Sequence, residues 1–172
     1  MGEAEHVLRE SWKRLIDAYV SGEIVLRSEK DMENAFARIC QSLITESGLP
    51  LTVKRQQARR GRRVDVTIEG MKQLLLLQLK LYHDKADWKE SPSMPNTVES
   101  DLKFAKNHKE TYVGIIDTIP STFRVELPYK MKWQSIKIEK QVFDRLYLSI
   151  NPKTSPPREI LQRILLANGN EI

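Results

Sequence analysis

The chain has 172 residues, 40% of them hydrophobic, enough for one domain with a substantial core and too few for two ordinary ones. Its apolar run Leu74 to Leu77 is interrupted by Gln78 and Lys80, so nothing approaches the roughly 20 apolar residues that a membrane span requires. Lys and Arg number 28 against 23 Asp and Glu, a net charge of +5 that suits an acidic partner, and a lone cysteine, Cys40, excludes a disulfide framework and a Cys-rich zinc site. The opening MGEAEHVLRE lacks the basic start and apolar stretch of a secretory signal, so a reducing, cytoplasmic setting without membrane attachment is expected.

Apolar residues Val7, Leu8, Leu15, Ile16 and Tyr19 recur at helical spacing over residues 3 to 20, and Ser21-Gly22 ends the segment. Ser28 with Asp31 forms a capping box for a second helix reaching about Glu46, with Met32, Phe36, Ile39, Cys40 and Leu43 as its apolar stripe and Gly48 and Pro50 as its stop. Three strand-like runs follow at 51 to 56, 62 to 69 and 73 to 82, the first two separated by a basic loop containing Gly61. Residues 84 to 97 read as a loop, with Asn96 and Glu99 capping a helix that follows it, and TYVGIIDTI at 111 to 119 reads as a buried strand. Beyond Pro120 come strand-like FRVELPY, WQSIKIEK and VFDRLYLSI, then a closing helix at 157 to 167. The expectation is an α/β fold forming a single domain over 1–172, with a core at about 28–119 and an extension at about 120–172.

Two features carry chemistry. Arg55, Arg59, Arg60, Arg62 and Arg63 fall within nine residues, a local density suited to neutralising phosphates. On the second strand, Asp65 alternates with the apolar Val64, Val66 and Ile68; on the third, Gln78, Lys80 and Tyr82 share one face and Leu77, Leu79 and Leu81 the other. The third strand is otherwise almost wholly apolar, as a strand covered on both sides should be, so a Gln and a Lys there need a reason. A turn over Gly70 to Gln73 would set Asp65 opposite Gln78, and a two-residue turn would set it opposite Leu76 with Gln78 diagonal. Either register keeps the polar groups on one face. His6, His83 and His108 have no partner at metal-ligand spacing, and Trp88 and Trp133 could stack on bases.

At these residues the sequence resembles the PD-(D/E)XK nuclease superfamily. Its restriction-endonuclease-like core runs helix, strand, strand, strand, helix, strand, with an Asp on the second strand and an acid-x-Lys motif on the third. Asp65 matches the Asp, Lys80 the Lys, and Gln78 stands where Glu or Asp is usual; Glu33, preferred over Glu29, matches the acid on the first core helix. The resemblance covers about residues 28 to 119, and ESDLKFAKNH is similar to the helix after the motif in restriction-type members. It implies a central mixed sheet flanked by helices and a Mg²⁺-dependent endonuclease, with Mn²⁺ as substitute, acting on DNA, although the chemistry extends to RNA. Asp65, Gln78, the Leu79 backbone carbonyl and Glu33 would hold the ion; Lys80 would orient water; the five arginines and Tyr82 would contact the nucleic acid. Gln78 brings a neutral oxygen, which binds a hard cation less tightly than a carboxylate. The alternative is a nuclease-like module that binds DNA or a protein without cutting. One such site cuts one strand, so double-strand cleavage would require a homodimer or a partner subunit.

Overall fold

A computed structural model describes residues 2–82, 94–117 and 163–168. The elements are α1 (Glu3–Val20), α2 (Glu29–Ser47), β1 (Thr52–Arg59), β2 (Arg62–Glu69), β3 (Leu74–Tyr82), α3 (Met94–Asn107), β4 (Thr111–Asp117) and β5 (Arg163–Asn168). From α2 to β4 this is the helix, strand, strand, strand, helix, strand order read from the sequence. The chain is α/β, with its strands flanked by helices, and divides into two compact units, Met1–Leu79 and Lys80–Ile172.

In the first unit α1 and α2 pack on each other through their apolar stripes, Trp12 and Phe36 meeting with ring centroids 6.4 Å apart. Val7, Leu8, Leu15 and Ile16 of α1 and Met32, Phe36, Cys40 and Leu43 of α2 are buried there. Ser28 caps α2 by accepting from the Asp31 N–H at 3.1 Å, while the Asp31 carboxylate reaches back to the Arg27 N–H instead of Ser28's own. Gly48 closes the helix in the left-handed conformation, φ 62°, which glycine enters without a Cβ penalty.

β1 and β2 pair antiparallel from Thr52↔Glu69 to Arg59↔Arg62, so their link is a two-residue turn, Arg60-Gly61, with φ 52° and 78°. Positive φ at both positions is the primed hairpin geometry that matches the strand twist. This corrects the expected basic loop: β1 continues through Arg59, and the arginines lie on two strands and a tight turn. A chain with no apolar residue between Val53 and Val64 except Ala58 hides its strand period, and only pairing with β2 reveals it.

β2 and β3 pair antiparallel from Val66↔Leu77 to Glu69↔Leu74, closed by the Gly70–Gln73 turn in which the Gly70 N–H donates to the Gln73 carbonyl at 2.9 Å. The two-residue alternative is thereby excluded, and the ladder ends at Val66↔Leu77, one residue short of Asp65 and Gln78. Leu76, Leu77, Gln78 and Leu79 are buried in succession, the mark of a strand covered on both faces. The Gln73 side chain also accepts from the Ala4 N–H at 2.8 Å, satisfying one of the free amides at the start of α1, which has no side-chain cap of its own.

The second unit holds the end of β3, then β4 and β5 in that strand order, with α3 against β4 and β5. α3 begins at Met94, so Asn96 lies inside its first turn instead of capping it; Pro95 is tolerated there because first-turn N–H groups have no helical acceptor. β5 pairs antiparallel with β4 from Tyr112↔Asn168 to Asp117↔Arg163. Residues 163 to 168 are therefore strand, not the end of a helix. A short apolar run such as Ile164 to Ala167 fits either state by pattern, and the apolar β4 edge, with Val113, Ile115 and Ile116 buried, decides it. The expected loop from 84, the strands at 123–129, 133–140 and 142–150, the helix start at 157, His83, Trp88 and Trp133 lie outside the described residues, apart from the last loop residues, which are helical.

Candidate functional site

The site in the first unit is built where the β1–β2 ladder is interrupted. Gln56, in the middle of β1, has φ 53°, and no pairing joins it to Asp65 although the flanking pairs Arg55↔Val66 and Gln57↔Val64 keep one register. A non-glycine residue in the left-handed region inside a strand persists only where its surroundings hold it. What holds Gln56 is its side chain. Its amide nitrogen Nε2 donates to Glu33 Oε2 at 2.6 Å and to Asp65 Oδ1 at 3.4 Å.

Glu33 sits in the second turn of α2 and is 5% exposed. Burying a carboxylate without partners is costly, and two partners meet the cost: Gln56, and Arg55, whose Nε lies 2.9 Å from Oε1. The Arg55 side chain is itself 38% exposed, so this is a cation at the surface clamping an anion inside. Asp65 is held from the other side by the Leu79 N–H, which donates to Oδ2 at 2.8 Å. A strand residue's N–H and C=O point to the same lateral side, so the Leu79 carbonyl faces in the same direction. Gln78, 4% exposed, donates from Nε2 to the Arg63 carbonyl at 3.0 Å, which pins its amide against β2.

Thus the structure brings Glu33 and Asp65 together on the Gln56 amide and sets the Leu79 N–H on Asp65, while Gln78, in the same unit, bonds the Arg63 carbonyl. Lys80 follows Gln78 by two positions on β3 and belongs to the second unit, where its Nζ lies 3.6 Å from Asp101 Oδ2 of α3. Asp101 is buried, at 1% exposure. Among the described residues no group of three His, Cys, Asp or Glu side chains could hold a metal. The Glu33 and Asp65 carboxylates, the Gln78 side-chain oxygen and the Leu79 carbonyl are all oxygen atoms, so a cation that they held would be a hard one of the Mg²⁺ class and not zinc.

Of the five arginines, Arg55 pairs with Glu33 and Arg59 with Glu69, which also pairs with Lys54 at 3.0 Å. Arg59 and then Lys54 hold the Glu69 carboxyl below its ordinary range. Arg60 and Arg63 are exposed at and beside the hairpin turn, and Arg62 is half-buried. Of Tyr82 only the backbone, at the end of β3, is described. Glu29 opens α2 in its first turn, one turn before Glu33, which contacts the Gln56 amide. A separate concavity between α1 and α2 is lined by Arg14, Asp17, Ser21, Glu23 and Arg38 and holds none of the motif residues.

Sequence reasoning missed Gln56, Arg55 as an ionic partner of Glu33, and Asp101. Gln56 had no signal, because a left-handed glutamine inside a strand leaves no mark on residue pattern. Asp101 had a faint one, as the acidic residue opening the amphipathic stretch after the motif. The comparisons add no relative: no family model, no curated protein and no solved structure matches the chain.

Proposed function

We propose that the chain is a Mg²⁺-dependent nuclease acting on DNA, built as a Gln-x-Lys variant of the PD-(D/E)XK site. The observation that carries this reading is the meeting of Glu33 and Asp65, from a helix and a strand, on one amide nitrogen. Two carboxylates directed at one point in a partly buried site repel each other unless a positive group lies between them. Here the Gln56 amide and the Arg55 guanidinium supply that positive character.

Asp65, Glu33, the Gln78 amide oxygen and the Leu79 carbonyl would hold the cation. When bound, it would supply Lewis-acid polarisation of a phosphodiester oxygen and favour a nucleophilic water. The chain's own groups do the rest. The Leu79 N–H fixes the Asp65 carboxylate, and the Arg63 carbonyl fixes the Gln78 amide, so neither needs to reorganise during the reaction. Lys80, whose Nζ lies 3.6 Å from the buried Asp101, would orient water or offset charge building on the phosphate oxygens. The exposed arginines of the hairpin would grip the nucleic-acid backbone without reading bases. A second reading, a DNA- or protein-binding module that does not cut, is favoured by one observation: Glu33 already has its charge met by Arg55.

A cleavage assay with Mg²⁺ and Mn²⁺ on duplex, branched and single-stranded DNA tests the proposal. Asp65→Ala and Lys80→Ala should each lower divalent-dependent cleavage by at least ~100-fold while leaving DNA affinity nearly intact, and Gln78→Glu should lower the metal concentration for half-maximal activity. Absence of cleavage by the wild type and by Gln78→Glu on all three substrates would leave the non-cutting reading.

A further inference from the structure

The contact between Arg55 and Glu33 has an unusual disposition. The carboxylate is 7% exposed on its side chain and the guanidinium 38%, so the anion is locked in and the cation can be reached from solvent. Arg55 is at the same time one of five arginines in a nine-residue segment whose remaining members include the exposed Arg60 and Arg63. A phosphodiester laid along that segment presents an anion that competes with Glu33 for Arg55. Guanidinium binds carboxylate and phosphate with the same N–H donors, so the Arg55 Nε–H that bonds Glu33 can bond a phosphate oxygen instead.

Losing Arg55 has a consequence for Glu33. Its other hydrogen-bond partner is the neutral amide of Gln56, which also touches Asp65. A buried carboxylate stripped of its cation, with a second carboxylate on the same amide, is a strongly electronegative spot that recruits a divalent ion. With Arg55 in place, the same spot already carries a compensating charge and the ion's gain is smaller.

We propose that Arg55 is a substrate-released latch: it occupies Glu33 in the free protein, is drawn off by a nucleic-acid phosphate, and so couples backbone binding to divalent-cation binding at Glu33 and Asp65. This inference rests on the nuclease-like reading of the site. Coupling of this kind is reciprocal, so a duplex must tighten the ion by the same factor by which the ion tightens the duplex. The latch also restrains an unloaded site from collecting a cation before the substrate is bound.

The test uses the full chain, Mn²⁺ as probe, and a random-sequence phosphorothioate duplex that carries the phosphate charge and resists cutting. Free Mn²⁺ is counted by its paramagnetic resonance, with duplex alone as the control. Wild type should bind Mn²⁺ on the order of 5-fold or more tightly with duplex than without, the lower end of ordinary allosteric coupling. Arg55→Gln should bind Mn²⁺ without duplex as tightly as wild type binds it with duplex, and its coupling should fall below about 2-fold. Arg55→Lys keeps the charge and should keep most of the coupling, so it serves if Arg55→Gln does not fold. A readout without metal completes the set: Glu33→Gln frees Arg55 and should raise duplex affinity, whereas a purely structural role for the pair would leave affinity unchanged or lower it.

Equal Mn²⁺ affinity of wild type with and without duplex, while Asp65→Asn abolishes Mn²⁺ binding, would overturn the latch and leave the metal-site reading standing. Mn²⁺ binding that Asp65→Asn does not weaken would overturn the site reading and the latch with it.

Discussion

Gln56 offers a test that needs no assumption about activity. Two replacements separate its backbone from its side chain. Gln56→Ala keeps the left-handed backbone at φ 53° and removes the amide that bridges Glu33 and Asp65; Gln56→Gly removes the same amide and also the steric conflict of a Cβ at positive φ. A hydrogen bond to a charged group contributes about 1.5–3 kcal/mol, and Arg55 remains to cover part of Glu33, so Gln56→Ala should destabilise by about 1.5–2 kcal/mol. The left-handed region costs a residue with a Cβ about 1–2 kcal/mol, while glycine gives back roughly 0.5–1 kcal/mol through its freer unfolded chain. The glycine variant should therefore be about 0.5–1 kcal/mol more stable than the alanine variant, though still below wild type. Urea unfolding is followed by far-ultraviolet circular dichroism and by tryptophan fluorescence, since Trp12 is buried against Phe36 in the same unit as Gln56. A glycine variant no more stable than the alanine variant would refute the claim that the strand is held against its backbone preference by this side chain. Wild-type stability in both would refute the bridging role as well.

Two further outcomes follow from burial and charge. The Cys40 thiol is pushed up to about 12 by burial, an effect that a hydrogen bond with Ser11 only partly offsets, so the native protein at pH 8 carries roughly one thiolate in ten thousand. Alkylation by iodoacetamide should be at least about 100-fold slower than for free cysteine and should recover in urea; rapid native alkylation would contradict the packing of α1 on α2. Glu69 is held below its ordinary value by Arg59 and Lys54, and a carboxyl depressed in the folded state stabilises the protein above its unfolded value of 4.5, an effect lost as acid protonates it. Because its side chain is 22% exposed, the gain is about 0.2–1 kcal/mol, so Glu69→Gln should melt below wild type at neutral pH and the gap should close as pH falls through the acid range; a gap independent of pH would refute the ionic cause.

Much of this molecule follows from its sequence, for reasons that are local. Helices α1 and α2 follow from apolar residues recurring at 3.6-residue spacing, with Ser28 and Gly48 as their punctuation, and those signals act within a few residues of the chain. The register of β2 on β3 followed from strand alternation together with the Gly70–Gln73 turn, since the period of two leaves only the register open. Where local signals were absent or ambiguous, partners from elsewhere decided. The arginine segment had no apolar period, and β2 turned it into a hairpin arm. The run at 163 to 168 could be helix or strand, and the open edge of β4 made it strand. The most consequential of these decisions concerns Gln56 and Arg55. Their roles depend on a buried carboxylate brought in from α2, 22 and 23 residues away along the chain, and a buried charge recruits whatever polar groups the fold puts within reach. Residue pattern encodes which faces are buried, whereas the pairing of charges across elements exists only once those faces have met.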